Sequence, residues 1–273
     1  MQKLKKNSNF LTEEHFHDQW AKSVSIDDID VLAQFEGITS PEYKAVIHAL
    51  PEIRNKKVLN LGCGLGEEAV YLALSGANVT AIDISQEMLN TTKKLATRYG
   101  VSKKITYYKM SAEDLKFRSN TFDAVVGCNI LHHVHIKKTI REIKRVLKPN
   151  GVAVFSEPLI YNPIINIYRV LADKVRTDEE HPLYMEDIAQ IKAVFPNTTH
   201  REFHLLTLLI FIWFYLAERQ HPNKARYWKK IISEADKYKF AFRCLYTVDK
   251  KVLLLLPFLR KYCWVSVIAA KKI

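Results

Sequence analysis

Val58-Leu59-Asn60-Leu61-Gly62-Cys63-Gly64-Leu65-Gly66 reads as a short apolar strand running into a glycine turn, and the residues from Glu67 onward have the pattern of a helix. Glycines there let the chain turn tightly and let a ligand approach the backbone. Asn78–Asp83 reads as a second strand, and it ends on a carboxylate, Asp83. Open parallel sheets bind ligands at the carboxyl ends of their strands, and an acid at this place can accept hydrogen bonds from both hydroxyls of a ribose. A glycine pattern alone is weak evidence. Here the strand before it, the helix after it and the acid on the next strand supply its context.

Outward from this unit, Ile105–Tyr108, Phe122–Cys128 and Val152–Glu157 read as further strands, with helical stretches near 67–75, 85–98 and 136–147. Strands alternating with helices of this length predict βαβ units and a parallel sheet buried on both faces. Lys148-Pro149-Asn150-Gly151 is a turn signal ahead of the fifth strand. Phe203–Leu209 and Trp264–Ala270 are expected to add two strands, with the segment 211–262 inserted between them. Residues 10–35 read as helical through Phe10, Trp20, Val31, Leu32 and Phe35. Thr39-Ser40-Pro41-Glu42 then opens another helix, because Ser caps well and Pro suits the first helical position.

The dinucleotide fingerprint G-x-G-x-x-G would need glycine at position 67, where the chain has Glu67 followed by Glu68. Two carboxylates in the first helical turn would repel a pyrophosphate placed on that N-terminus. S-adenosylmethionine carries no phosphate and is compatible with an acidic turn.

At this point the segment from about Lys57 to Pro158 resembles the class I S-adenosylmethionine-dependent methyltransferases of the small-molecule type. VLNLGCGLG is similar to the family's first motif and AIDIS to its second strand with the ribose-binding acid. MSAEDLKF resembles the adenine-contacting segment, FDAVVGCNILHHV the fourth strand, and REIKRVLKPNGVAVFSEP the stretch entering the fifth. The resemblance implies an α/β fold with a Rossmann-like, mostly parallel seven-stranded sheet and helices on both faces. Residues 1–50 are expected to form an N-terminal helical lid, 51–158 the cofactor-binding core, and 159–273 an acceptor-pocket insertion, an aromatic basic cap and the last sheet strands.

The resemblance also assigns cofactor contacts. Gly62, Cys63, Gly64 and Gly66 would pass the methionine part, Asp83 would hold the ribose, and Ile84 would lie against the adenine. Ala112 and Glu113 would meet the adenine edge, and Asn129 would lie near the methionine amino group. Two positions depart from the pattern: Asn60 stands where the family usually has Asp, and Ser111 stands where an Asp commonly faces the adenine amino group. The motifs carry no information on the methyl acceptor.

Methyl transfer from a sulfonium is an in-line displacement from an activated donor, so much of the enzyme's task is positioning. A hydroxyl acceptor benefits from a general base. His133 and His132 follow the fourth strand and are candidates for it, with a structural role as the alternative. Glu157 ends the fifth strand and is a candidate to orient the acceptor; a capping or salt-bridge role is the alternative. Arg176, Thr177, Asp178, Glu179, Glu180 and His181 form a dense polar cluster, either a solvated loop or part of the acceptor pocket, with His181 as a further candidate base. His15 and His17 stand two apart on different faces of a helix, so no metal site is expected there.

Of a formal net charge of +12, +10 lies from Asn197 onward, where 15 Lys and Arg stand against 5 Asp and Glu. The same stretch holds 14 of the chain's 30 Phe, Trp and Tyr. Leu205–Ala217 is apolar but too short to span a bilayer, which needs about 20 apolar residues. The favoured reading is a greasy helical cap that admits a small lipophilic acceptor and rests on an anionic membrane surface. A second core or a dimer interface is the alternative. Nucleic acid is the less favoured partner, since runs such as LLLL and LLIFIWF suit packing or lipid contact better than a stacking platform. The function expected is therefore S-adenosylmethionine-dependent methylation, first at oxygen, of a small lipophilic molecule. An RNA methyltransferase and a catalytically silent cofactor-binding module are the alternatives. MQKLKKNSNFLTEEHFHDQW has no apolar stretch behind its basic residues and does not read as a secretory signal. Cys63, Cys128, Cys244 and Cys263 lack zinc spacing and read as free buried thiols of a cytoplasmic protein.

Overall fold

The computed structural model describes residues 2–172 and 180–273. Arg176, Thr177, Asp178 and Glu179 lie outside them. Seven strands form one sheet among the described residues: β1 (Lys57–Leu61), β2 (Asn78–Asp83), β3 (Ile105–Lys109), β4 (Phe122–Cys128), β5 (Leu147–Pro158), β6 (Asn197–Phe203) and β7 (Val265–Lys271). Their order is β3-β2-β1-β4-β5-β7-β6, with β7 antiparallel to both its neighbours and the remaining pairs parallel. The order reverses between β1 and β4, and a ligand crevice opens at such a switch point.

The helices are α1 (Gln2–Ser23), α2 (Val31–Glu36), α3 (Pro41–Ala49), α4 (Glu67–Leu74), α5 (Gln86–Arg98), α6 (Ile136–Val146), α7 (Pro163–Leu171), α8 (Met185–Val194), α9 (Leu209–Leu216), α10 (Tyr227–Ser233) and α11 (Ala235–Leu255). Successive side chains of the central strands feed two different cores, as strand geometry requires. Val58, Ala124 and Val126 pack with α4, α5 and the N-terminal helices, whereas Leu59, Leu61 and Val125 pack with α6 and α8. A third core, with Phe211, Phe214, Tyr227 and Phe242, is built by α9, α10 and α11.

The βαβ portion matches the sequence expectation, and the flanks depart from it. Phe203 ends β6 instead of starting it. His204 takes a left-handed φ of 68° and is buried between Glu42, at 2.8 Å, and Thr207, at 3.0 Å. The buried carboxylate of Asp249 accepts the N–H groups of Leu205 and Leu206, at 3.1 and 2.7 Å. The chain therefore leaves the sheet and turns into α9. The expected helix over 10–35 is divided, because Asp30 accepts the Ala33 N–H and caps a separate α2. Pro41 does open α3, but the Ser40 hydroxyl makes no cap hydrogen bond. Cys63, Cys128 and Cys263 are buried, while Cys244 is exposed. Among the described residues, no helix is long and apolar enough to cross a membrane.

Candidate active site

The turn after β1 is left-handed at Gly62, Gly64 and Gly66, with φ of 66°, 53° and 103°. A side chain at Gly66 would lie 2.7 Å from the Thr92 backbone, so α5 can pack tightly under the loop. A side chain at Gly64 would meet nothing within 4 Å. Close packing below and open space above leave the Gly64 backbone bare to a ligand. Thr92 also donates its hydroxyl to the Gly64 carbonyl at 3.1 Å, which fixes the turn.

Asp83 is buried at the end of β2. Its two oxygens accept the Gly64 N–H at 3.0 Å and the Ser85 N–H at 2.9 Å. Burial pushes its carboxyl above the usual carboxylate value, although these bonds oppose the shift. Ser85 caps α5 and donates to Asp18 of α1, so α1 is tied to the same corner.

At the end of β4, Asn129 takes a φ of 57°, and its N–H donates to the Ser156 carbonyl at 2.8 Å. Glu157 is fully buried behind this corner. Its Oε1 accepts the N–H groups of Ile130 and Leu131 at 2.9 and 2.8 Å, and its Oε2 lies 2.7 Å from His132 Nδ1. Burial raises the Glu157 carboxyl to about 7. His133 lies beside it, 3.3 Å from Glu13 and 4.0 Å from Glu180. Burial would lower its pKa, but these carboxylates prevail and raise it.

A cavity of about 870 Å³ is lined by the glycine turn and by side chains of α9–α11. Gly62, Cys63, Gly64, Asp83, Ile84, Ala112, Glu113, Asn129, His132 and His133 all line it. Asn60, Gly66 and Glu157 stand behind that wall; Asn60 is buried, with Nδ2 on the Val126 carbonyl at 3.4 Å and Oδ1 unpartnered. His181 is not brought in: its side chain is exposed, and only its N–H reaches the His132 carbonyl, at 3.2 Å. The C-terminal part contributes mainly apolar side chains to the wall, Ile165, Leu208, Phe211, Phe242 and Trp264, together with His204, Thr207 and Arg226.

A family model described as "Methyltransferase domain" matches residues 59–155. An uncharacterized protein of Methanocaldococcus jannaschii is 31% identical over 196 residues, 68% of this chain and 77% of that relative. The chain belongs to the class I S-adenosylmethionine-dependent methyltransferases. A ubiquinone biosynthesis O-methyltransferase of Rickettsia canadensis is 36% identical over 106 residues, 38% of this methyltransferase and 44% of the relative. The chain spans about half the length of the curated methyltransferases it matches. In fold it is similar to the geranyl diphosphate C-methyltransferase of Streptomyces coelicolor, with a TM-score of 0.59 at 15% identity over 86% of this chain and 76% of that one.

The residues present fit the cofactor. The cradle over Gly64 is open, and Asp83 stands at the strand end with one oxygen on the loop and the other on Ser85. The acidic first turn of α4, however, does not carry the electrostatic argument placed on it from sequence. Glu67 is paired with Lys229 at 3.3 Å. Glu68 is buried, its carboxyl raised to about 8 by burial, and its Oε2 accepts the Cys128 N–H at 3.2 Å. The turn is thus close to neutral, and the family match now carries the choice of cofactor.

Sequence reasoning passed over the contribution of α1. Glu13 and His17 reach the cavity and meet His133, and the three offer ligand atoms within 4.8 Å of one another, a spacing that a metal ion can bridge. The partner of His17 is therefore Glu13, four residues back, and not His15. The i, i+4 pairing was the available signal. Thr92, Trp20 and Arg226 carry no local signature, since their partners are far away in the chain.

Proposed function

We propose that this methyltransferase transfers a methyl group from S-adenosylmethionine to an oxygen of a small lipophilic acceptor that enters beneath the aromatic cap. The observation that carries the reading is a single cavity lined both by the glycine turn and Asp83 and by the aromatic side chains Phe211, Phe242 and Trp264. The Rickettsia relative, named for O-methylation in ubiquinone biosynthesis, supports the choice of oxygen.

Bound S-adenosylmethionine supplies an electrophilic methyl group on a sulfonium. Asp83 would hold the ribose, with Ile84, Ala112 and Glu113 along the adenine and Gly62, Cys63, Gly64 and Asn129 along the methionine. Asn60 and Gly66 would support the loop from behind. His132 lines the same cavity. Glu157 engages its Nδ1, which favours the tautomer whose Nε2 accepts a proton from an acceptor hydroxyl. His133, held among carboxylates, favours its charged form and would shape the pocket electrostatically. Glu157 acts through His132 as a positioning residue.

Exposed Leu254, Leu255 and Phe258 lie next to Lys250, Lys251, Arg260 and Lys261 in the chain. Apolar side chains at a basic edge fit an anionic membrane surface, where a lipophilic acceptor would be found. Incubation with methyl-labelled S-adenosylmethionine and a cell extract tests the whole reading. Label is expected in the organic-soluble fraction, and label in RNA would overturn it. Sedimentation with anionic vesicles at low salt tests the membrane part, which fails if Leu255→Ser and Phe258→Ser leave binding unchanged.

A further inference from the structure

Arg226 immediately precedes α10 and lines the cavity. Its guanidinium lies 4.0 Å from the centre of the Trp20 ring, and it makes no hydrogen bond or ion pair among the described residues. The other cations of this wall are engaged: Lys229 is paired with Glu67 at 3.3 Å, and Arg169 has an interaction of its own. Burial holds the Arg226 pKa below its usual value, and Tyr168 and Glu180 nearby offset only part of that shift, with neither in hydrogen-bond or ion-pair contact with the guanidinium.

A structural role explains this poorly. Arg226 occupies the N-cap position of α10, where the helix dipole disfavours a cation and where its side chain makes no cap bond. Stacking on Trp20 holds the guanidinium plane but satisfies none of its five donors. A partly desolvated charge with unmet donors is costly unless a ligand completes it.

We propose that Arg226 is a carboxylate-binding residue of this cavity. A guanidinium fork matches a carboxylate bidentately, and a single unmatched cation balances a single negative charge. A diphosphate would bring two or more charges to a wall with one free cation among the described residues. Two molecules at this site could bring a carboxylate: the methionine end of the cofactor, and an acid group on a lipophilic acceptor. The contact of Lys229 with Glu67, which directly follows Gly66, places the segment carrying Arg226 close to the glycine turn. The inference rests on the methyltransferase reading of the cavity.

The test is calorimetric binding to the full chain and to Arg226→Met and Arg226→Lys, with unchanged thermal melting as the check on folding. In one arm the probes are S-adenosylhomocysteine and its analogue lacking the carboxylate. In the other they are decanoate and decanol, each with and without S-adenosylhomocysteine. If the cofactor is the source, loss of its carboxylate and Arg226→Met each weaken binding by about 10- to 100-fold, and the two losses do not add. If the acceptor is the source, decanoate binds at least about tenfold more tightly than decanol, and Arg226→Met abolishes the difference. Arg226→Lys keeps the charge but loses the fork, and is expected to fall in between. The proposal is overturned if no carboxylate preference in either arm depends on Arg226. Failure of the methyltransferase reading is distinct: the wild-type chain then binds no S-adenosylhomocysteine, and the decanoate arm alone decides.

Discussion

Glu157 Oε2 lies 2.7 Å from His132 Nδ1, while Oε1 of the same buried carboxylate holds the N–H groups of Ile130 and Leu131. One side chain thereby fixes both the turn after β4 and the orientation of an imidazole in the cavity wall. A fully buried carboxylate is expensive to ionise, and its two backbone donors together with the imidazole offset much of that cost.

Glu157→Gln keeps the shape and removes the negative charge that selects the His132 tautomer. The expected result is a fall in kcat of roughly 100-fold, the low end of what a general base contributes, with S-adenosylhomocysteine binding little changed. The wild-type carboxyl is raised to about 7 by burial, so its ionised fraction grows as pH climbs through that value. The kcat profile should rise over the same range. An equal loss of cofactor affinity would instead assign Glu157 to holding the turn.

Glu68 makes a separate prediction for stability. Its carboxyl is raised from 4.5 to about 8 by burial. Between those values the folded chain binds a proton that the unfolded chain has released, so stability is full below the lower value and is lost as pH rises through the higher one. Glu157 acts in the same sense up to about 7. Glu68→Gln should leave the melting temperature near pH 5 almost unchanged and raise it at pH 9, with a gain on the order of a few kcal/mol. Melting curves at the two pH values decide; a Gln variant that melts lower at pH 9 would show that the ionised form is the stabilising one.

The central sheet was legible because its strands are short apolar runs punctuated by glycine and acid, and β1, β2 and β4 start within a residue of where the pattern puts them. β6 was not. In Leu205–Phe211 the run is apolar apart from Thr207 and carries no period that separates strand from helix. What turns it into α9 is Asp249, more than 40 residues further on. The cavity-lining residues of the glycine turn and strand ends stand in local motifs, whereas the contribution of α1 does not: Glu13, His17 and Trp20 sit on a largely polar helix and line the cavity through contacts far away in the chain. Arg226 over Trp20 pairs the two ends of the chain, a contact that no spacing rule detects.

Asp83 carries the ribose assignment. Asp83→Asn retains one acceptor oxygen but removes the charge, and hydrogen bonds to a charged group contribute about 1.5–3 kcal/mol. Titration calorimetry should therefore show S-adenosylhomocysteine affinity falling by roughly 10- to 100-fold. The bonds to Gly64 and Ser85 weaken as well, so some loss of melting temperature is expected. Unchanged affinity would move the ribose site elsewhere.

Gly64 and Gly66 separate folding from binding within one turn. Both have positive φ, so alanine strains the backbone at either position, by about 1 kcal/mol or more. At Gly66 the added carbon would also lie 2.7 Å from the Thr92 backbone, and α5 would have to move away from the loop. At Gly64 it would enter open space above the turn. Gly66→Ala should accordingly cost roughly 2–4 kcal/mol of stability, the sum of strain and overpacking. Gly64→Ala should stay folded with a smaller loss and yet bind S-adenosylhomocysteine far more weakly, because the new methyl group occupies the space the ligand needs. Melting temperature and calorimetric affinity measured on the two variants should move in opposite rank. If Gly64→Ala bound the cofactor product as the wild type does, the open space above Gly64 would belong to something other than the cofactor.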